Sequence, residues 1–188
     1  MYDVTFCVIL VTTMLSGYYK RDERNREYLE LYNEEFPQMD KVRLALDRAF
    51  DFVEECRFAP ESRAWKQTDL FTLLVEAHRA INDDHLSIHP VAAGERVQAF
   101  FDKVDGLYKG RKLPDEAEVP KDAQTVFAYL KAATKATNDK YSRAVRGRII
   151  GELLRNGHQA GPGTAHPAQA KAGPSKPTPT RAARARKK

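Results

Sequence analysis

The apolar positions of this chain fall into segments that repeat near every 3.6 residues and are broken by turn-forming clusters. From Asp40 the set Val42, Ala45, Leu46, Ala49, Phe50 and Val53 recurs every three or four residues. Lys41, Arg43, Asp47, Arg48, Asp51 and Glu54 take the other faces, so the pattern predicts an amphipathic helix. Phe58-Ala59-Pro60 interrupts it, and Ser62 or Thr68 then offers a side-chain cap to a further helix. The stripe of that helix is Leu70, Phe71, Leu74, Val75, His78 and Ile81, and Asn82-Asp83-Asp84 closes it. Gly94 to Lys109 carries Val97, Phe100, Phe101, Val104, Leu107 and Tyr108. After a polar loop with Pro114 and Pro120 come Val126, Phe127, Tyr129 and Leu130. In the last periodic segment, Asn138 to Leu154, the residues Tyr141, Val145, Ile149 and Leu153 stand four apart and predict the inner face.

The first 37 residues are less plain. Val4, Thr5, Val8, Ile9, Val11, Thr12 and Thr13 are β-branched and favour a strand. Asp3 can cap a helix, however, Gly17 can end one in a left-handed conformation, and the run between them is long for a strand, so a helix is expected. A charged connection from Lys20 to Arg26 then leads to a short amphipathic helix with Tyr28, Leu31, Tyr32 and Phe36, stopped by Pro37. No segment sustains a two-residue alternation between turn signals, and no Asn-Gly or Asp-Gly hairpin occurs. The expected fold class is all-α: one domain of about seven helices over residues 1–156. From Gly157 the chain turns to Ala, Pro, Gly, Thr and Lys/Arg without apolar periodicity, which cannot offset chain entropy, so residues 157–188 are expected to be a disordered tail.

At 188 residues, 42% apolar and 30% charged, the composition fits one soluble domain and excludes collagen, disulfide scaffolds and multi-span membrane proteins. The net charge of +5 is unevenly placed. Seven of the 31 Lys+Arg and none of the 26 Asp+Glu stand in the tail, which leaves residues 1–156 at −2. The high isoelectric point thus belongs to the tail and does not make the domain a basic nucleic-acid binder. Cys7 and Cys56 sit in apolar stretches and read as buried free thiols of a reducing compartment. Residues 4–15 are too short to span a bilayer, and Asp3 stands where a signal peptide wants positive charge. A cytoplasmic protein without membrane contact is expected.

Candidate chemistry is sparse. His78 lies on an apolar stripe and reads as a hydrogen-bonded core residue before a ligand. Asp83, Asp84, His85 and His89 are the clustered candidates for metal ligands, better explained as a solvated helix end. His89-Pro90 lacks the companions an HNH-type nuclease needs, and Trp65 is expected to pack into the core against the helix that follows it. Neither GxxxxGK[ST] nor GxGxxG occurs, so neither phosphate loop is available and no cofactor or metal is called for. The last helix carries Lys140, Arg143, Arg146, Arg148 and Arg155. Arg148 has Glu152 four residues on and is expected to pair with it. Arg143 and Arg146 lie off the stripe, so with Lys140 they are the expected contacts to DNA phosphate, or else a solvated face. In the tail, Arg181, Arg184, Arg186, Lys187 and Lys188 can neutralise phosphates or simply confer solubility.

Met1-Tyr2-Asp3-Val4 leading into an apolar helix, followed by Tyr28-Leu29-Glu30-Leu31-Tyr32-Asn33-Glu34-Glu35-Phe36-Pro37, resembles a passage of GmrSD-type restriction proteins. That passage belongs to the helical region behind their ParB/sulfiredoxin-like nuclease domain. Ser62 to Leu73 is similar to the next element of that region, and Asn138-Asp139-Lys140-Tyr141 with Arg143, Arg146 and Arg148 to its closing arginine-rich helix. The resemblance covers roughly residues 1 to 155. It implies a nucleoside-triphosphate-dependent endonuclease acting on modified phage DNA, with a D-G-Q-Q-R signature in the nuclease domain. D-G-Q-Q-R does not occur here, so no catalytic residue carries over. What the resemblance implies is a non-catalytic helical module, a truncated product or a separately encoded partner. Its implied partners are DNA and a nuclease subunit or missing N-terminal domain. A surface left uncovered by such a domain would favour self-association into a homo-oligomer. The alternative is a protein-interaction module, or a remnant, without DNA binding.

Overall fold

The helix that others surround is the one with the longest unbroken run of buried positions. In the computed structural model, which describes residues 4–18, 21–108 and 112–156, α4 (Gln67–His78) is buried at every position from Phe71 to His78, and at Asp69. It packs against α1 (Val4–Ser16), α3 (Met39–Glu55) and α7 (Lys140–Arg155). Helix α7 packs also on α5 (Pro90–Leu107) and α6 (Gln124–Thr134), while α2 (Arg21–Leu31) lies against α1. Seven α-helices and no strand occur among the described residues, so the all-α expectation holds. Residues 157–188, expected to be a disordered tail, lie outside the described residues, as does Asp3.

Helix α1 overrides the strand propensity of its β-branched residues. Thr13 Oγ1 donates to the Ile9 carbonyl at 2.7 Å and Ser16 Oγ to the Thr12 carbonyl at 2.7 Å, so the hydroxyls are satisfied within the helix. Gly17 ends it at φ +75°, its N–H donating to the Thr13 carbonyl at 2.8 Å. The charged stretch expected as a connection is helical instead: α2 begins at Arg21 and stops at Leu31. Its apolar spacing hid this start, because Arg and Glu form helices without contributing to a stripe. Tyr32 and Phe36 follow α2, and the Tyr32 ring lies tilted against Tyr28, centroids 5.9 Å apart, and against Phe36 at 4.7 Å.

In α3 the buried residues are Val42, Ala49, Phe52 and Val53, whereas Phe50, expected inside, is 46% exposed. Ser62 caps a single 3-10 turn, Arg63–Trp65, by accepting from the Ala64 N–H at 3.1 Å, and Thr68 lies inside α4. That turn buries Arg63 and Ala64 and leaves Trp65 43% exposed, which corrects the core reading. The indole donates to the Ala59 carbonyl at 2.9 Å and meets Phe58 edge-on. Helix α4 runs into a π turn, Arg79–Asp83. Helix α5 starts four residues before Gly94, at Pro90, where His89 Nδ1 accepts from the Ala92 N–H at 3.4 Å.

Both cysteines are free, but Cys7 is exposed and only Cys56 is buried, which corrects half of that expectation. Burial pushes the Cys56 thiol up to about 12. No helix among the described residues is long and apolar enough to cross a membrane. A tight approach in the core occurs at Gly94, where an added Cβ would overlap the Cys56 carbonyl oxygen. Gly94→Ala therefore forces α3 and α5 apart and should destabilise the protein by about 1–3 kcal/mol despite the gain in helix propensity. A lowered urea midpoint checks this.

Candidate functional site

Three polar residues of α4, Asp69, Thr72 and Glu76, are spaced to lie along one face, and all three are buried. Burial of carboxylates is unfavourable unless each oxygen is bonded, and the surrounding elements supply the bonds. Asp69 accepts from Arg63 Nε at 2.9 Å and from the Tyr129 hydroxyl of α6 at 2.7 Å. Arg63 also reaches Asp105 of α5 at 3.0 Å. Thr72 Oγ1 accepts from Arg146 Nε of α7 at 3.3 Å, and Arg146 donates further to the carbonyls of Ala132 and Thr137. Glu76 accepts from the Tyr18 hydroxyl at 2.8 Å and from Arg79 at 2.7 Å, with Arg155 of α7 at 3.7 Å. Arg155 is tied in turn to Asp84 at 2.7 Å.

Two glycines of α7 make room for this arrangement. A Cβ on Gly147 would overlap the Tyr18 side chain and stand 2.6 Å from Glu76 Oε1, and one on Gly151 would stand 2.8 Å from Glu76 Oε2. Burial raises the Glu76 carboxyl above its ordinary range, opposed by Arg79, the Tyr18 hydroxyl and Arg155. Burial likewise raises the Tyr18 and Tyr129 hydroxyls and lowers Arg146.

The arginines expected to reach DNA point inward. Arg143 is 3% and Arg146 1% exposed, so as folded neither offers its guanidinium to a duplex. The inner face of α7 carries Arg143, Arg146, Gly147, Ile150 and Leu154, and Tyr141, expected inside, is 80% exposed. Ile149 is buried as expected and Val145 and Leu153 pack partly buried against the core, but the face is centred about one position further on, where Arg146 bonds Thr72 of α4 and Arg143 lies over Phe71. Lys140 is exposed, and Arg148 pairs with Glu152 at 3.5 Å on the outer side, as expected. Arg181, Arg184, Arg186, Lys187 and Lys188 lie outside the described residues.

His78 is buried, with Asn82 Nδ2 3.1 Å from its Nδ1 and Asp83 3.8 Å from its Nε2, the environment of a hydrogen-bonded core residue. Among the described residues no three His, Cys, Asp or Glu side chains converge on a metal position; Asp84 is held by Arg155, and His89 caps α5. A cavity of about 190 Å³ has Phe6 and Ile9 of α1 and Phe71 of α4 as its apolar lining. Its polar lining includes Thr68, Asn138, Arg143 and Arg146. A larger apolar groove of about 660 Å³ runs along α1 and α2, past Val8, Val11, Leu15, Tyr28 and Leu29.

No protein-family model, no curated protein and no solved structure matches this chain. Its chemistry has to be read from its own geometry. The residues that sequence reasoning missed are Asp69, Glu76, Tyr18, Tyr129 and Arg63. A signal for two of them was present, since Asp69 and Glu76 are acids seven positions apart inside an apolar run.

Two outcomes follow from this interior. Arg146→Ala leaves Thr72 Oγ1 and two carbonyls without their donor, and should lower stability by about 3 kcal/mol or more, read as a fall in the urea midpoint. His78 is held below its usual range, by burial first and against the pull of Asp83. The unfolded chain therefore takes up the proton first, at about pH 6.5. Stability from this group is present above that pH and is lost as pH falls through the folded value. Unfolding midpoints measured from pH 7 to 5 should drop, and His78→Gln should flatten that drop.

Proposed function

We propose that this chain is a non-catalytic helical module of a GmrSD-like phage-defence restriction system, supporting a nuclease subunit, with exposed cations as its means of touching DNA. The exposure of Lys140 on α7 supports the second half of this reading, whereas Arg143 and Arg146 are interior residues that hold α7 against α4 and α6. Of the expected phosphate contacts, those that remain are Lys140 and the tail's Arg181, Arg184, Arg186, Lys187 and Lys188. The first half rests on the resemblance of the Tyr28 to Pro37, Ser62 to Leu73 and Asn138 to Arg148 passages.

A protein-interaction module without DNA binding is the second reading. The groove between α1 and α2 favours it, since its lining is apolar and carries no charged side chain among the described residues, a surface suited to protein and not to phosphate.

Affinity for a DNA duplex, measured against salt with the full chain and with a chain ending at Asn156, separates the two. The proposal expects log affinity to fall linearly with log salt. Deleting residues 157–188 should then reduce the slope by about 0.9 for each phosphate that the tail had neutralised. Absent or salt-independent binding by the full chain selects the interaction module.

A further inference from the structure

We propose that the groove along α1 and α2 docks a proline-rich segment of a partner protein, its prolines stacked on Tyr28, Tyr32 and Phe36 and its flank basic. The inference rests on the second reading's assignment of that groove to protein, and it is indifferent to whether the chain also touches DNA. Helix α1 is apolar on two sides and carries no charged residue. Ile9 and Leu10 turn into the core and Phe6 meets Phe71 of α4 edge-on, while Val8, Val11 and Leu15 line the groove. A helix that is apolar all round is normally covered all round. Helix α2 covers the second side of α1 only in part, leaving a space of about 660 Å³, within the roughly 300–1,000 Å³ of a ligand site.

The aromatic side chains decide the class of occupant. Tyr28, Tyr32 and Phe36 recur every four residues, half-buried, with neighbouring ring centroids 5.9 and 4.7 Å apart. Three rings at that spacing cover about one turn of polyproline II, which rises about 9 Å over three residues. Pyrrolidine rings three residues apart in such a helix face the same way and can lie on the outer two aromatic rings. Polar groups in the lining are able to donate, the hydroxyls of Tyr28 and Tyr32 and the side-chain amide of Asn33. Among the described residues none of these three makes a side-chain hydrogen bond. A proline-rich backbone offers carbonyl acceptors and few N–H groups, so it matches them. A helical partner has its carbonyls bonded within itself and would leave the phenols desolvated and unpaired.

Charge complementarity supplies the flank. From Asn25 to Pro37 the chain carries four Glu and one Arg. Glu34 and Glu35 stand between the lining residues Asn33 and Phe36, both exposed and without an ion pair among the described residues. They favour Lys or Arg beside the prolines. A second copy of this chain laying the same face here would bring a second set of these carboxylates to the interface, which counts against self-docking.

Fluorescence anisotropy with the full chain tests the site, using a labelled peptide of nine prolines ending in two arginines. Its dissociation constant should be about 100 μM or tighter. The same peptide ending in two glutamates should bind about tenfold more weakly, and so should an alanine-rich helical peptide that keeps the two arginines. Tyr32→Ala removes the middle ring and should weaken binding about tenfold. Since loss of a half-buried ring can disturb α2, Glu34→Lys/Glu35→Lys is the companion: both positions are exposed, and the pair should weaken binding about fivefold with helix content unchanged. A helical peptide that binds more tightly than the proline peptide overturns the proposal and leaves the groove a protein site of another kind. Dimerisation in light scattering that Leu29→Glu abolishes identifies a second copy as the occupant and overturns it too. No binding of the proline peptide, or binding unchanged by the charge reversal, overturns it as well, while the second reading itself stands or falls on the DNA titration above.

Discussion

Everything else in the domain is arranged around the burial of two carboxylates and a hydroxyl in its central helix. Asp69, Thr72 and Glu76 are enclosed, and each must be met by a donor from another element. Arg63 brings the 3-10 turn onto α4, Tyr129 brings α6, Arg146 and Arg155 bring α7, and Tyr18 anchors the segment that follows α1. Hydrophobic burial supplies the driving force for collapse but is non-directional. Hydrogen bonds to fixed acids are directional, and they set which helix lies where.

Close approach is the second condition, and small residues meet it. Gly147 and Gly151 let Tyr18 and Glu76 reach the axis of α7, and Gly94 lets α5 meet the end of α3 at Cys56. A Cβ at Gly94 would meet the Cys56 backbone, and one at Gly147 or Gly151 would displace the Tyr18 or Glu76 side chain from its place. The same tight packing explains why α7 has a mixed inner face of Arg, Gly, Ile and Leu, not a plain aliphatic one.

This organisation separates two kinds of positive charge along one chain. Several cations in the described domain stand in pairs, Arg63 with Asp69, Arg79 with Glu76, Arg155 with Asp84 and Arg148 with Glu152. Arg146 is bonded instead to the neutral oxygens of Thr72, Ala132 and Thr137. A basic helix read from sequence as a DNA-binding surface can thus be a structural pillar, and the difference lies in where its neighbours place their acids.

The helical class, the end of α1 at Gly17, the closing of α4 near Asn82, and the positions of α3, α5, α6 and α7 were all legible in the sequence. They depend on local chemistry: backbone preferences, caps, and a 3.6-residue apolar repeat. The start of α2 was hidden because charged helix formers leave no stripe, and Trp65 was misjudged because its short turn points Arg63 and Ala64 inward instead. What only the tertiary structure decided was the inner face of α7 and the burial of Arg143 and Arg146. Whether a charged side chain can be interior depends on its partners: Arg79 and Arg63 stand 3 and 6 positions from Glu76 and Asp69, but Tyr18, Tyr129 and Arg146 lie 58, 60 and 74 positions from Glu76, Asp69 and Thr72. Periodicity reports which residues avoid water alone; it carries no information on which polar residues avoid it together.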